Sequence, residues 1–189
     1  MAKELSENKQ FMIISHKKSI GILGGSFDPP HKGHLKISLT ALKDLKLDKL
    51  FWIVTKKNPF KKKPLFSLEQ RLYLCKKIVK KNKKIKIQFL EKYTKSPRSI
   101  NVIKYLKKKY GNADIFLLIG SDNLIKLHKW KDWEKIIEIC KLVVFSRKGF
   151  DKKAQKSPII KHVPSKKIIY IKNSKIDISS SKLREIYLR

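Results

Sequence analysis

One stretch decides the fold of this chain: residues 24–34, with the sequence GGSFDPPHKGH. It follows a short apolar segment, residues 20–23, which predicts a buried strand that ends at the glycine pair. After it, residues 34–47 carry leucines at helical spacing and predict the first helix. A strand that turns through glycines into a helix is typical of open α/β sheets, in which ligands bind at the carboxyl ends of the strands. Residues 24–34 therefore indicate a fold class and a candidate ligand site together.

The residue types in this stretch favour an anionic ligand. A helix N-terminus attracts negative charge through its dipole and its free backbone N–H groups, and glycines let the backbone approach a ligand closely. His31 and His34 are three residues apart, so both imidazoles project to one side of the first helical turn. There they can donate hydrogen bonds to a phosphate that gains charge in a transition state. Alone, a glycine pair is usually a turn and a histidine a surface residue, and the stretch is neither a Walker A loop nor a G-x-G-x-x-G motif.

The rest of the chain alternates strands with helices. Apolar or alternating runs predict further strands at residues 50–55, 85–90, 115–119, 142–145 and 168–171. Ser67 and Gln70 have the spacing of a capping box that opens a second helix. Further helical patterns cover residues 97–110, 122–139 and 180–188. The alternation predicts a Rossmann-like three-layer α/β fold with a mostly parallel sheet of five or six strands.

The chain has no evident linker, so its domain organisation is simple. We expect a single domain over residues 19–189 that follows an N-terminal extension, residues 1–18. Residues 149–167 show the weakest pattern and are expected to form a mobile surface loop.

Composition excludes several classes of protein. Hydrophobic residues make up 41% of the 189 residues, too many for a disordered chain. No apolar run approaches the roughly 20 residues of a membrane span. The two cysteines, Cys75 and Cys140, have neither disulfide-scaffold nor metal-ligand spacing, so we expect a reducing, cytoplasmic setting. The residues carry no signal for an oligomeric state.

The net charge of +32 is high and attracts anions of many kinds, including nucleotides and nucleic acids. Only five of the 47 basic residues are arginines, the residue type that reads bases and phosphates bidentately. Lysines spread over the whole chain indicate a solvated surface. We therefore expect neither a specific nucleic-acid partner nor a membrane partner.

A second candidate anion site lies near the C-terminus, where residues 178–184 read ISSSKLR. Serines at a helix start supply a cap and leave backbone N–H groups for an anion, and Arg184 follows about one turn later. Alone, this pattern would be an ordinary helix cap.

Together the two stretches resemble the nucleotidyltransferase superfamily with an H-x-G-H motif. Its usual form is G-G-[ST]-F-[DN]-P-x-H-x-G-H, and I-S-S-T-x-I-R near its C-terminus grips the triphosphate of ATP; here Ser181 and Leu183 replace Thr and Ile. The resemblance implies nucleotidyl transfer from a nucleoside triphosphate to a phosphate, with release of pyrophosphate. It implies that His31 and His34 are the catalytic residues. The implied ATP-binding residues are Gly24, Gly25, Ser26, Phe27, Gly33, Gly120, Asp122, Ser180, Ser181 and Arg184.

A third segment bears on the acceptor. Residues 120–124 read GSDNL and follow a predicted strand, and Asp122 there could cap a helix or bind ribose hydroxyls. Trp130 and Trp133 come next; Trp133 is expected to pack in the core, whereas Trp130 follows a predicted break near residue 128 and could present a flat face to a pyridine ring.

This segment is similar to bacterial nicotinate-nucleotide adenylyltransferases, with the pattern G-[AS]-D-N-L-x-x-[LF]-x-x-W-x-x-W. Residues 67–71 and 145–147 match as well. The resemblance implies that ATP and nicotinate mononucleotide form deamido-NAD and pyrophosphate, with Mg²⁺ carried on the ATP phosphates. It implies Ser99, Trp130 and Lys131 as acceptor-binding residues. The chain departs from the family pattern at Arg98, Asn101, Val102 and Lys131.

The chemistry expected is in-line attack of the acceptor phosphate on the α-phosphorus, which needs no general base because a phosphate monoester is already charged at neutral pH. Two alternatives stay open. One is a sibling adenylyltransferase that acts on nicotinamide mononucleotide or 4′-phosphopantetheine. The other, more remote, is a non-catalytic basic nucleic-acid-binding protein, which would carry arginine-rich or aromatic basic patches.

Overall fold

A computed structural model describes residues 17–57, 63–80, 82–172 and 180–187. Its strands are β1 (Ser19–Gly25), β2 (Lys49–Val54), β3 (Ile85–Gln88), β4 (Asp114–Gly120), β5 (Cys140–Phe145) and β6 (Ile168–Ile171). Its helices are α1 (Lys32–Asp44), α2 (Leu68–Val79), α3 (Glu91–Thr94), α4 (Ser99–Tyr110), α5 (Ser121–Leu124), α6 (Trp133–Ile139), α7 (Asp151–Gln155), α8 (Pro158–His162) and α9 (Ser180–Tyr187). Short 3₁₀ turns cover Leu127–Lys129 and Ser165–Lys167.

The strands form one parallel sheet in the order β3-β2-β1-β4-β5-β6. The chain winds outward from β1 in one direction and from β4 in the other, so the strand order reverses between β1 and β4. A crevice forms at the carboxyl ends of two strands whose connections leave in opposite directions. The predicted α/β class, the parallel sheet and all six predicted strands are confirmed.

Helices cover both faces of the sheet because the central strands are apolar on both faces. Along β4, Ile115, Leu117 and Ile119 pack into one buried cluster. The intervening Phe116 and Leu118 pack into the other. Strand alternation thus gives the domain two cores, one on each side of the sheet.

Local signals place several helix ends correctly. Ser67 accepts a hydrogen bond from the backbone N–H of Gln70 at 3.2 Å, and the Gln70 amide accepts one from Ser67 N–H at 2.9 Å. This is the predicted capping box. Gly111, at φ +58°, ends α4 in a backbone conformation that residues other than glycine rarely adopt.

Two predictions about the second half of the chain are wrong. Residues 122–139 are not helical throughout: the predicted break near residue 128 coincides with the 3₁₀ turn that separates α5 from α6, and Asp132 lies in the left-handed region at φ +54°. Residues 149–167 are not a structureless loop, because they form α7, α8 and a 3₁₀ turn. Ala154, Ile159 and Val163 of that segment are buried in the core, and their burial orders it.

The strand predicted at residues 85–90 ends at Gln88, and the sequence did not indicate α3, which follows it. The prediction of an N-terminal extension over residues 1–18 concerns residues that lie almost entirely outside the described ranges. Within the described ranges, no helix has the length and apolar character to cross a membrane.

Candidate active site

A cleft of about 570 Å³ opens at the carboxyl edge of the sheet, over the β1–β4 switch point. All the residues that the sequence singled out for the site line this cleft: His31, His34, Gly24, Gly25, Ser26, Phe27, Gly33, Gly120, Asp122, Ser180, Ser181, Arg184, Ser99, Trp130 and Lys131. Its volume falls within the range of small-molecule sites.

The two histidines share one corner of the cleft at the start of α1. Their ring centroids are 3.8 Å apart. The backbone N–H of His31 donates to Nδ1 of His34 at 3.2 Å, so the neutral His34 ring carries its proton on Nε2. The spacing of three residues thus brings both rings to one point, as predicted.

A buried aromatic support lies behind His34. The Phe27 ring stacks on Trp52 at 4.9 Å and contacts the His34 ring at 4.8 Å. Trp52 Nε1 donates to Ser38 Oγ at 2.8 Å, and that hydroxyl donates to the His34 carbonyl at 2.7 Å. Both the ring and the backbone of His34 are therefore held from the core side.

His31 is neutral at physiological pH. Burial and the positive charge of Arg147 lower its pKa from 6.5 to about 4. Its Nδ1 is buried at the start of α1, and the residue lines the cleft.

An ion pair lies where β4 and β5 end. Arg147 Nη1 is 2.6 Å from Asp122 Oδ2. The Arg147 backbone N–H donates to Ser121 Oγ and to Asp151 Oδ1, each at 3.0 Å. Burial alone would raise the pKa of Asp151, but hydrogen bonds from Ser146, Tyr170 and the Arg147 N–H outweigh it and lower that pKa to about 2. Asp151 thus stays ionised and fixes the backbone at Arg147.

Helix α9 closes the cleft from the far end of the chain. Ser180 Oγ donates to the Pro29 carbonyl at 3.0 Å. Arg184 Nη1 donates to the Asp28 carbonyl at 2.7 Å, and its Nη2 donates to Ser181 Oγ at 3.0 Å. The two predicted anion motifs are therefore joined directly in space.

The cleft is electropositive. Among the described residues, six cationic side chains line it, those of Arg98, Lys126, Lys129, Lys131, Arg147 and Arg184, against two carboxylates, those of Asp28 and Asp122. Both carboxylates face an arginine: Asp122 pairs with Arg147, and Asp28 Oδ2 is 3.6 Å from Arg184 Nη1. The excess of positive charge attracts an anionic ligand.

The acceptor side of the cleft combines an aromatic face with a helix start. Trp130 is half-buried against the core and lines the cleft. Ser99 is the first residue of α4. Trp133 packs against the core, as predicted.

Comparison with known proteins identifies the family, because residues 22–186 match the sequence model of the cytidylyltransferase-like proteins. The chain belongs to this family. It is 45% identical to the probable nicotinate-nucleotide adenylyltransferase of Pelagibacter ubique, over 90% of this chain and 94% of that protein. It is 33% identical to the protein of the same name from Aquifex aeolicus, over 85% of this chain and 98% of that protein.

Solved structures of this cytidylyltransferase-like architecture agree with the fold. Nicotinic acid mononucleotide adenylyltransferase from Plasmodium falciparum, complexed with NaAD, has a TM-score of 0.73 to this chain at 22% identity. The likeness covers 89% of this chain and 83% of that one. It supports the Rossmann-like assignment independently of the family match.

Sequence reasoning missed several residues that build this cytidylyltransferase-like site. Trp52 and Ser38 looked like ordinary core and helix residues, and nothing local shows that they support His34. Arg71 lay in a segment that matched the family, but it had no assigned role. The available signal was its spacing, since Arg71 shares a helix face with buried Cys75 and Val79 and is itself 2% exposed.

Proposed function

We propose that the chain transfers AMP from ATP to nicotinate mononucleotide, producing deamido-NAD and pyrophosphate. One observation carries this proposal: a single electropositive cleft joins the histidine pair of α1, the start of α9 and the Trp130 side. The relatives that carry the name nicotinate-nucleotide adenylyltransferase support the same activity. The reaction is a step of NAD synthesis.

The acceptor phosphate attacks the α-phosphorus of ATP in line with the leaving group. A bond forms between the acceptor phosphate oxygen and the α-phosphorus, and the bond from that phosphorus to the bridging oxygen breaks, so pyrophosphate leaves with the electron pair. The acceptor phosphate is already ionised, so no protein base is needed. Burial raises the pKa of the Cys75 and Cys140 thiols to about 12, which argues against a covalent cysteine intermediate.

His31 and His34 act as catalytic donors to the phosphate oxygens on which charge develops. A neutral imidazole donates one N–H, and the bond to the His31 backbone places that hydrogen of His34 on Nε2. Donors positioned before the reaction need no reorganisation in the transition state. Catalysis is then mainly positioning and charge stabilisation, as in other phosphoryl-group chemistry.

The remaining ATP contacts follow from the places of the residues in the cleft. Ser180, Ser181 and Arg184 hold the β- and γ-phosphates and the departing pyrophosphate. The backbone from Gly24 to Phe27 and the first turn of α1, with Gly33, approach the phosphates closely. Gly120 and Asp122 lie at the end of β4, where Asp122 accepts hydrogen bonds from ribose hydroxyls.

Mg²⁺ enters with ATP as part of the substrate and neutralises phosphate charge. In the described ranges, no group of three or more histidine, cysteine, aspartate or glutamate side chains could hold a metal ion. The donors that line the cleft are N–H groups and cations, which suit phosphate oxygens. This donor set supports an ion bound by the phosphates rather than by a protein cage.

The acceptor binds on the side of the cleft opposite the ATP-binding residues, with the pyridine ring against Trp130 and with Ser99 and Lys131 beside it. The positive charge of Lys131 and Arg98 favours the carboxylate of nicotinate over an uncharged amide.

We place the enzyme in the cytoplasm, since both cysteines are free thiols.

A pyrophosphate-release assay tests this function. Purified protein with Mg²⁺ and ATP is given nicotinate mononucleotide, nicotinamide mononucleotide or 4′-phosphopantetheine, and each product is identified by mass. Preference for the nicotinate form is expected. Turnover with only another acceptor would move the assignment to a sibling transferase. Absence of turnover with all three, together with DNA binding that persists at physiological salt, would favour the nucleic-acid-binding alternative.

A further inference from the structure

A buried guanidinium lies beneath residues 24–31, the glycine–histidine loop that joins β1 to α1, and the proposed chemistry does not use it. Arg71, on the second turn of α2, is 2% exposed. Within the part of the chain that the structure describes, it donates four hydrogen bonds, all to backbone carbonyls outside its own helix. Burying a charge is costly unless it is compensated closely, and here the carbonyl dipoles act together with the negative charges of Asp28, Glu69 and Glu91.

The four carbonyls belong to three separate segments that meet below the cleft. The shortest bond, 2.6 Å, goes from Arg71 Nη1 to the carbonyl of Ser26 in the glycine–histidine loop. The same nitrogen donates to Thr55 at 2.7 Å, and Nη2 donates to Lys56 at 3.1 Å, both just after β2. Nε donates to Phe66, just before α2, at 3.1 Å. Only a planar fork of several N–H donors can join these segments at once, and a lysine cannot reproduce it.

The bond to Ser26 falls at a strained point of the backbone. Phe27 has φ +49°, a backbone conformation that residues other than glycine rarely adopt. The Ser26 carbonyl belongs to the peptide group that precedes Phe27, so Arg71 holds the peptide plane that defines this angle. Charge-assisted hydrogen bonds of this kind are among the strong ones. Arg71 therefore stabilises a conformation that the local sequence disfavours.

This conformation bears directly on the catalytic histidine. With φ positive, the Phe27 ring turns inward onto Trp52 and lies 4.8 Å from the His34 ring. A change of the peptide plane at Ser26 would move the Phe27 ring and, with it, the support of His34. The same change would displace the backbone N–H groups that border the cleft.

We propose that Arg71 is a positioning residue for adenylyl transfer, which sets the nucleotide-binding backbone and His34 from beneath without contacting substrate. This inference rests on the proposed function. The role of Arg71 differs from that of Arg184. Arg184 lines the cleft and is placed to contact the ATP phosphates, whereas Arg71 lies outside the cleft lining.

Arg71→Lys is the first test, because it keeps the charge and removes the fork. We expect kcat/KM for ATP to fall about 10- to 100-fold, the usual penalty for slight misplacement of catalytic groups, with the acceptor KM changed less than about threefold. Arg71→Ala leaves a cavity in which a free guanidinium ion can take the place of the missing side-chain group. Low, non-denaturing guanidinium should restore part of its activity, and methylammonium should not.

Val79→Ala is the matched control, because Val79 is buried on the same face of α2 two turns later. It should lower the melting temperature and leave the kinetic constants unchanged. Equal kinetic losses in Val79→Ala and Arg71→Lys at equal loss of melting temperature would overturn the positioning role. Unchanged kinetics in Arg71→Lys would overturn it too.

The two proposals fail in different ways. Wild-type protein that forms no product with any acceptor would refute the proposed function. The positioning role would then be decided by ATP binding alone, measured by calorimetry on wild type, Arg71→Lys and Val79→Ala. If Arg71→Lys does not fold, Arg71→Gln replaces it. An ATP affinity equal to that of wild type in the folded Arg71 variant would refute the inference.

Discussion

The variant Gly24→Ala tests whether the glycine at this position is required by the fold or by a bound ligand. Gly24 is the penultimate residue of β1 and lines the cleft. A Cβ added there would meet no atom within 4 Å, and its φ lies outside the positive region that favours glycine. The free protein therefore has no structural use for a glycine at this position. Only a ligand that approaches the backbone closely would require it.

The expected effects on stability and on binding have opposite signs. Glycine within a strand is less stable than alanine by about 0.5–1 kcal/mol. In a domain of this size, such a gain raises the melting temperature by roughly 1–4 °C. A phosphate oxygen hydrogen-bonded to this backbone would collide with the new methyl group. We expect the ATP affinity to fall about 10- to 100-fold, which corresponds to about 1.4–2.7 kcal/mol.

Thermal unfolding with and without ATP and steady-state pyrophosphate release measure the two effects on the same protein. Gly111→Ala is the control, because Gly111 has φ +58° and does not line the cleft. It should lose about 1–3 kcal/mol of stability, because alanine is strained at φ +58° and ψ −122°, and keep its kinetic constants. A Gly24→Ala protein with unchanged KM for ATP would refute a close phosphate approach. A lower melting temperature would show that the free fold needs this glycine.

Three further predictions concern the remaining site residues. His34→Ala should lower kcat about 10²- to 10³-fold with a small change in melting temperature, measured by pyrophosphate release; near-wild-type turnover would contradict its donor role. Gly120→Ala places a Cβ against Asp122 Oδ1, so it should displace that carboxylate from Arg147 and raise the KM for ATP about tenfold, and unchanged ATP kinetics would count against the ribose contact. The pKa of His31 is lowered from 6.5 to about 4, so the unfolded chain takes up the proton first, and stability falls as pH drops from about 6.5 towards 4. Urea unfolding measures the free energy of unfolding across this range, and its pH dependence should be flatter for His31→Gln than for wild type. An equal pH dependence in the two proteins would contradict a contribution from His31.

Local sequence predicted most of the fold because the signals are local in origin. The alternation of apolar runs with helical spacing reports which faces are buried, so the six strands and their parallel arrangement follow from pattern. Ser67 and Gly111 mark helix ends by their own side-chain or backbone chemistry. The misread segments, residues 122–139 and 149–167, consist of short helices. Short helices are ordered by burial of a few side chains, and no period in the sequence records that burial.

The residues of the candidate site could be picked out from the sequence because glycine, histidine, serine and arginine motifs each state a chemical preference within a few residues. How they are held together could not be, since it depends on contacts between distant segments. Arg184 meets the Asp28 carbonyl across 156 positions, and Arg71 meets that of Ser26 across 45. Such contacts form only when the assembled sheet brings distant segments together. The sequence does not reveal them, because both acceptors are backbone carbonyls, which every residue carries and no sequence pattern distinguishes.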